Sequence, residues 1–176
     1  MSTHLGPLER HPDGHWLLGN PEGKKGGAHF VLEREGLRHR VEGTEEKLLP
    51  WARQMELSVR PKTHPWGTWQ LRGLLRTPYE QWQAPFAHHT RRRYQQGHVL
   101  ILNELLRQLT AAHALDRLAD PEWLQHVVTP LAPEDPLSPR SAQLLVQQVL
   151  RTAGGLVLPE QPRRDLITEP STPYFP

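Results

Sequence analysis

Two stretches decide the fold: Met55-Glu56-Leu57-Ser58-Val59 and Trp69-Gln70-Leu71-Arg72-Gly73-Leu74-Leu75. In the first, Met55, Leu57 and Val59 alternate with Glu56, Ser58 and Arg60. In the second, Trp69, Leu71, Gly73 and Leu75 alternate with Gln70, Arg72 and Leu74. A period of two puts one set on each face of a strand, so these segments predict an antiparallel sheet with one buried and one solvated face. Residues 61–67 between them form a loop too long for a tight hairpin.

The same period extends toward the N-terminus. Phe30 and Leu32 alternate with Val31 and Glu33, Glu35-Gly36 supplies a turn, and Leu37, His39 and Val41 run back. Glu42-Gly43-Thr44 turns the chain again into Lys47-Leu48-Leu49-Pro50-Trp51. Pro50 has no backbone donor, which confines that strand to an edge or ends it there. Residues 1–27, rich in Gly, Pro and His, read as a flexible segment with one short strand at Trp16-Leu17-Leu18.

Beyond Arg76 the period shifts toward 3.6. Thr77-Pro78-Tyr79-Glu80 has the form of a capping box with proline at the first helical position, and predicts a helix that Pro85 limits to about two turns. Tyr79, Trp82 and Phe86 would anchor it on the sheet. A longer helix is expected over 86–118, broken near Gly97, with Val99, Leu102, Leu106 and Leu109 as its apolar stripe. Asp120-Pro121-Glu122 starts another, with Leu124, Val127, Val128 and Leu131 inward. Pro130, Pro133, Pro136 and Pro139 mark a loop. Ser138 caps a last helix carrying Leu145, Val149 and Ala153, stopped by Gly154-Gly155.

The expected class is therefore α+β, an antiparallel sheet or partial barrel followed by a C-terminal helical segment. The boundaries read as 1–27 (N-terminal segment), 28–118 (sheet plus packing helix), 119–155 (additional helices) and 156–176, a proline-rich tail expected to be extended or disordered.

The stretch from Ala28 to Leu75 resembles bacterial pleckstrin-homology-like domains. The resemblance rests on Phe30-Val31-Leu32-Glu33-Arg34-Glu35-Gly36-Leu37, on Leu48-Leu49-Pro50-Trp51 and on Met55-Glu56-Leu57-Ser58-Val59. It covers about a quarter of the chain. It implies a bent antiparallel sheet of seven strands closed by one helix. The chain departs from that pattern in showing five or six strands by its periodicity and more helix than the fold needs.

Composition removes several chemistries. The 176 residues contain no cysteine, which excludes disulfides, thiolate nucleophiles and cysteine-ligated zinc. A formal charge of +2 lacks the cationic excess of a dedicated nucleic-acid binder. Neither a signal-peptide run at Met1 to Arg10 nor an apolar stretch of membrane-spanning length occurs, so a cytoplasmic protein is expected. No Gly-x-Ser-x-Gly elbow surrounds a serine, and Glu22-Gly23-Lys24-Lys25-Gly26-Gly27 lacks the order of a phosphate loop.

Two groups of residues are candidate contacts. His88, His89, Arg91, Arg92, Arg93 and Tyr94 form a basic patch without an acid from Phe86 to Val99, suited to an anion or nucleic acid, with Tyr94 free to stack. The plainer reading, a solvated helix face, is preferred, because one arginine triplet in a near-neutral chain is a common accident. Lys24 and Lys25, with Arg38 and Arg40, loosely match the basic pattern by which some pleckstrin-homology domains hold inositol phosphates. His88, His89 and His98 lack the spacing and acidic partner of a zinc site, so no metal and no cofactor are expected.

The favoured function is a non-enzymatic binding or adaptor protein whose partner is another protein or a second copy of itself. The alternative is a nucleic-acid- or anion-binding regulator acting through Arg91, Arg92 and Arg93. A hydrolase with a histidine site assembled from distant residues is the third class.

Overall fold

A computed structural model describes residues 3–22, 27–63, 68–76 and 79–159. Lys24, Lys25, the Thr77-Pro78 half of the expected capping box and the tail from Glu160 lie outside the described residues.

The architecture is α+β. Six strands form one antiparallel meander in chain order: β1 (His4–Leu5), β2 (Leu8–Arg10), β3 (Trp16–Gly19), β4 (His29–Leu32), β5 (Gly36–Arg40) and β6 (Lys47–Pro50). Three more form a second: β7 (Gln54–Thr63), β8 (Thr68–Leu75) and β9 (Glu80–Phe86). Helices α1 (Gln96–Ala111), α2 (Pro121–Leu131) and α3 (Pro139–Thr152) follow.

The sheets separate where Pro50 ends β6 at the edge of the first meander, as its missing donor requires. A short 3-10 turn, Trp51–Arg53, carries the chain across. Trp51 anchors this corner: its side chain is buried, its backbone N–H donates to Glu35 O at 3.1 Å, and its Nε1–H donates to Glu33 O at 2.8 Å.

Residues 3–22 form more regular structure than their Gly, Pro and His content suggests. They supply three strands rather than one, with Leu5, Leu8 and Trp16 buried. Trp16 Nε1 donates to Pro121 O at 3.1 Å, and Arg10 Nη2 to Glu122 Oε1 at 2.9 Å, which fastens the N-terminal hairpins to α2.

β7 and β8 pair through Leu57↔Gly73 and Val59↔Leu71, with Leu57, Val59 and Leu71 buried and Glu56, Arg60 and Arg72 exposed. β7 runs on to Thr63, so 61–63, expected in the connecting loop, are strand. Its outer edge is covered by α1: Asn103 Oδ1 accepts from Val59 N–H at 2.7 Å, and Asn103 Nδ2 donates to Val59 O at 2.9 Å. One side-chain amide thus completes a backbone pairing at an otherwise open edge.

The short helix expected after Thr77 does not form; residues 80–86 are strand β9. Trp82 and Phe86 are buried and Ala84 half-buried, whereas Gln81, Gln83 and Pro85 are exposed. That period of two outweighs the capping signal. Pro85 is tolerated because β9 is an edge strand. Gly73 lies opposite Trp82, and a Cβ there would collide with the indole. Tyr79 is exposed and anchors nothing among the described residues.

The long helix is shorter than expected. Residues 87–95 are a connection, α1 stops at Ala111, and a 3-10 turn covers Leu115–Ala119. α1 buries Ile101, Leu102, Leu105, Leu106 and Leu109 in one core shared with Leu57, Leu71, Leu124, Val128, Val146 and Leu150. Asp120 caps α2, its Oδ1 accepting from Glu122 N–H at 3.1 Å and Trp123 N–H at 3.0 Å. α2 runs through Pro130, expected in a loop, and ends at Leu131, which is fully buried. Ser138 Oγ accepts from Ser141 N–H at 3.2 Å to start α3. The buried face of α3 is Ala142, Val146, Val149 and Leu150; Leu145 is half-buried and Ala153 exposed. Gly155, at φ +60°, turns the chain so that Leu156 N–H reaches Leu150 O at 3.0 Å.

Candidate functional site

The basic segment from His88 to Tyr94 is a connection between β9 and α1, not a helix face. Tyr94 closes it. Its hydroxyl accepts from His89 N–H at 3.1 Å and donates to Ala87 O at 3.3 Å, and burial pushes its pKa up to about 12. The His88 ring stacks on Tyr94 with centroids 5.0 Å apart, and Trp69 meets it edge-on at 5.6 Å. The ring expected to stack on a base is therefore occupied inside the protein.

Arg92 is likewise committed. Its Nη1 donates to Gly6 O at 2.7 Å and its Nη2 to Glu9 Oε2 at 2.9 Å, and its guanidinium lies 5.5 Å from the Tyr94 ring centroid. His89 Nδ1 accepts from Arg91 N–H at 3.1 Å, which leaves the proton on Nε2, 3.6 Å from the same Glu9 carboxylate. Burial pushes the His89 imidazole below its usual pKa, and the charge of Arg92 adds to the effect. Arg91 and Arg93 are exposed.

Arg38 and Arg40 are also paired. Arg38 Nε donates to both Glu33 carboxylate oxygens, at 2.7 and 2.8 Å, and this contact holds Glu33 below the usual carboxylate range. Arg40 Nε lies 3.0 Å from Glu46 Oε1. Arg40 lines an open cleft of about 470 Å³ whose other formal charges are the carboxylates Glu22, Glu42 and Glu46. A phosphorylated ligand would meet more negative than positive charge there.

His98 does not join His88 and His89 as a ligand set. It is 5 % exposed, its Nε2 is 2.9 Å from Ala132 O, and its ring meets His4 edge-on at 5.8 Å. Burial lowers its pKa.

A second cleft, about 580 Å³, opens where both sheets meet the end of α1. Trp51 and Leu115, both buried, and the half-buried Met55 give it apolar surface. Arg34, Glu35, Arg76, His113 and Asp116 line it and are exposed. No ion pair joins Arg34, Arg76, Glu35 or Asp116 to another described residue. Gln54, in the wall, accepts from Trp82 Nε1–H at 3.2 Å through Oε1, while its Nε2 is covered and finds no acceptor among the described residues.

The end of α1 shapes this cleft. Ala114 N–H donates to Leu109 O at 2.8 Å and His113 N–H to Thr110 O at 3.1 Å. These two bonds define a Schellman termination with His113 at the left-handed position, φ +53°. Glycine usually fills that place, and His113 is the one described residue other than glycine with positive φ.

Sequence reasoning passed over this cleft. Its residues come from four separate stretches, and the available signal was small: a helical stripe ending at Leu109 with no glycine to stop it. No known protein family, curated protein or solved structure matches the chain.

Proposed function

We propose that the chain is a non-enzymatic binding protein, an adaptor built on a pleckstrin-homology-like pair of antiparallel sheets, which engages a partner protein through the seam cleft. The observation that carries this reading is the cleft's lining. Apolar surface from Trp51, Met55 and Leu115 lies beside four formally charged side chains that the protein leaves unpaired among its described residues. Clefts of roughly 300–1,000 Å³ that combine apolar lining with a few polar groups are the usual form of a binding site. What supports the family part of this reading is coarse: two antiparallel sheets with α1 packed against β7, here with nine strands among the described residues where the resemblance implies seven. The proposal includes a cytoplasmic setting, which a cysteine-free composition favours.

One observation favours the second reading, a nucleic-acid contact: Arg91 and Arg93 remain exposed, two positions apart on one short connection. Titration of the isotope-labelled full chain, first with a pool of short synthetic peptides and then with a random DNA duplex, separates the two. Peptide-induced amide shifts at 51–55, 76 and 110–116 are expected. Shifts confined to 88–94, with duplex affinity that falls steeply with salt, would replace the first reading by the second.

A further inference from the structure

His113 stands where the backbone favours glycine. An L-residue in the left-handed region brings its Cβ against the following carbonyl, and only a minority of helix ends accept that. Histidine is among the side chains found there more often than most, but it still gives up stability that glycine would keep. Strained backbone of this kind clusters at functional sites. The His113 side chain is exposed. It has a position in the lining of the seam cleft.

The charges around it narrow the ligand. Arg34 and Arg76 are balanced by Glu35 and Asp116, so the lining carries no net formal charge apart from the histidine. A phosphate or a nucleic acid would be drawn to the arginines and repelled by the carboxylates; a simple cation would meet the reverse. A chain carrying both signs satisfies all four. The apolar surface of Trp51, Met55 and Leu115 adds a place for one aliphatic or aromatic side chain between those charges.

We propose that the seam cleft, on the binding reading above, receives a short peptide segment of a partner protein that presents one apolar side chain flanked by charges of both signs, and that His113 is a specificity-determining contact to it. Charge complementarity sets register and excludes like-charged competitors, while the apolar anchor supplies most of the affinity. His113 is kept at the helix end for recognition rather than for termination.

The test uses the full chain and four end-blocked fluorescent pentapeptides. One has a central Leu with Lys and Glu on both sides, one has all-Lys flanks, one has all-Glu flanks, and one has the mixed flanks around a central Ser. Polarisation should show the mixed-charge Leu peptide binding about tenfold or more tighter than the other three. His113→Gly and His113→Asn both suit positive φ and remove the imidazole. Each should weaken that peptide by about tenfold while the thermal midpoint holds or, for glycine, rises. Equal binding of the four peptides, or undiminished binding by both variants, overturns the proposal. Amide shifts recorded on the same samples separate the two levels. Shifts in the cleft without charge preference reject the peptide rule and leave the cleft as the site. Shifts elsewhere, or none with any of the four peptides, reject both.

Discussion

The segment from His88 to Tyr94 and the seam cleft sit at opposite ends of α1, and they treat charge in opposite ways. The segment packs three arginines and two histidines into consecutive sequence, yet Arg92 is spent on Glu9 and Gly6 and Tyr94 on the loop's own backbone. The cleft collects Arg34, Glu35, Arg76 and Asp116 from distant stretches and leaves them without an ion pair among the described residues. Density of charge along the chain thus says little about charge available to a partner. Availability depends on which neighbours the fold supplies, and a partly buried arginine without an acceptor would be costly to keep.

Because both regions depend on α1, the largest effect expected is one that unsettles them together. Leu106 is 1 % exposed in the shared core. Leu106→Ala should cost about 2–5 kcal/mol, the range for truncating a buried leucine. Urea unfolding followed by tryptophan fluorescence should show one transition, with amide signals from both ends of α1 lost in step. Separate transitions for the sheet and helix signals would break the link between the two regions.

Acid should sharpen the contrast, acting on the segment's end of α1. His89 and His98 are held below their usual pKa there, mainly by burial, and His39 is lowered by burial beside β9. The groups facing them are Arg92, Glu9, His4 and His88 around His89, and His4, Asp135 and Arg92 around His98; His39 faces His29 and Lys47. In the unfolded chain these imidazoles take up protons below about pH 6.5, before the folded protein does. Their neutral forms therefore contribute full stability above that pH, and the contribution is lost as pH falls toward their lowered folded values. The thermal midpoint should drop between about pH 7.5 and 5, with the 88–98 amides losing protection first, and His98→Asn should flatten the slope. A midpoint that rises on acidification would contradict the assignment.

A smaller effect has the opposite sign and belongs to the cleft. His113→Gly should raise stability by about 1 kcal/mol, because it relieves a left-handed L-residue at an exposed site. Chemical denaturation measures it directly. A loss of similar size would mean that His113 is part of the packing and not a residue retained at a cost.

Much of the fold was legible in sequence, and the reasons are local. Alternation in 55–59 and 69–75 marks strands because a half-buried strand repeats every two residues. Pro50 marks a sheet edge through its missing donor, and Asp120 and Ser138 mark helix starts through the N–H groups they satisfy. β9 was misread because Thr77-Pro78-Tyr79-Glu80 imitates a helix start, while the alternation of Trp82, Ala84 and Phe86 spans too few residues to compete. Ordered strands at 4–5 and 8–10 were hidden because their stability comes from α2, more than a hundred positions away, through Arg10 and Trp16. The candidate site was less legible still. Arg92 and Glu9 are 83 residues apart, so the pairing that withdraws the arginine from solvent leaves no local trace. The strain at His113 exists only in φ.

Urea unfolding of Arg92→Ala beside Arg76→Ala tests the contrast most directly, since each removes one guanidinium. Loss of the Arg92 side chain removes the donor to the Gly6 carbonyl and leaves the Glu9 carboxylate only His89 Nε2, 3.6 Å away, at a site where Arg92 is only 22 % exposed. A fall of about 1–3 kcal/mol is expected. Arg76→Ala removes an exposed side chain with no ion pair among the described residues and should change stability by no more than about 0.5 kcal/mol. Equal losses, or the larger loss at Arg76, would contradict the claim that the Arg92 charge is spent within the fold while the cleft's charge is kept for a partner.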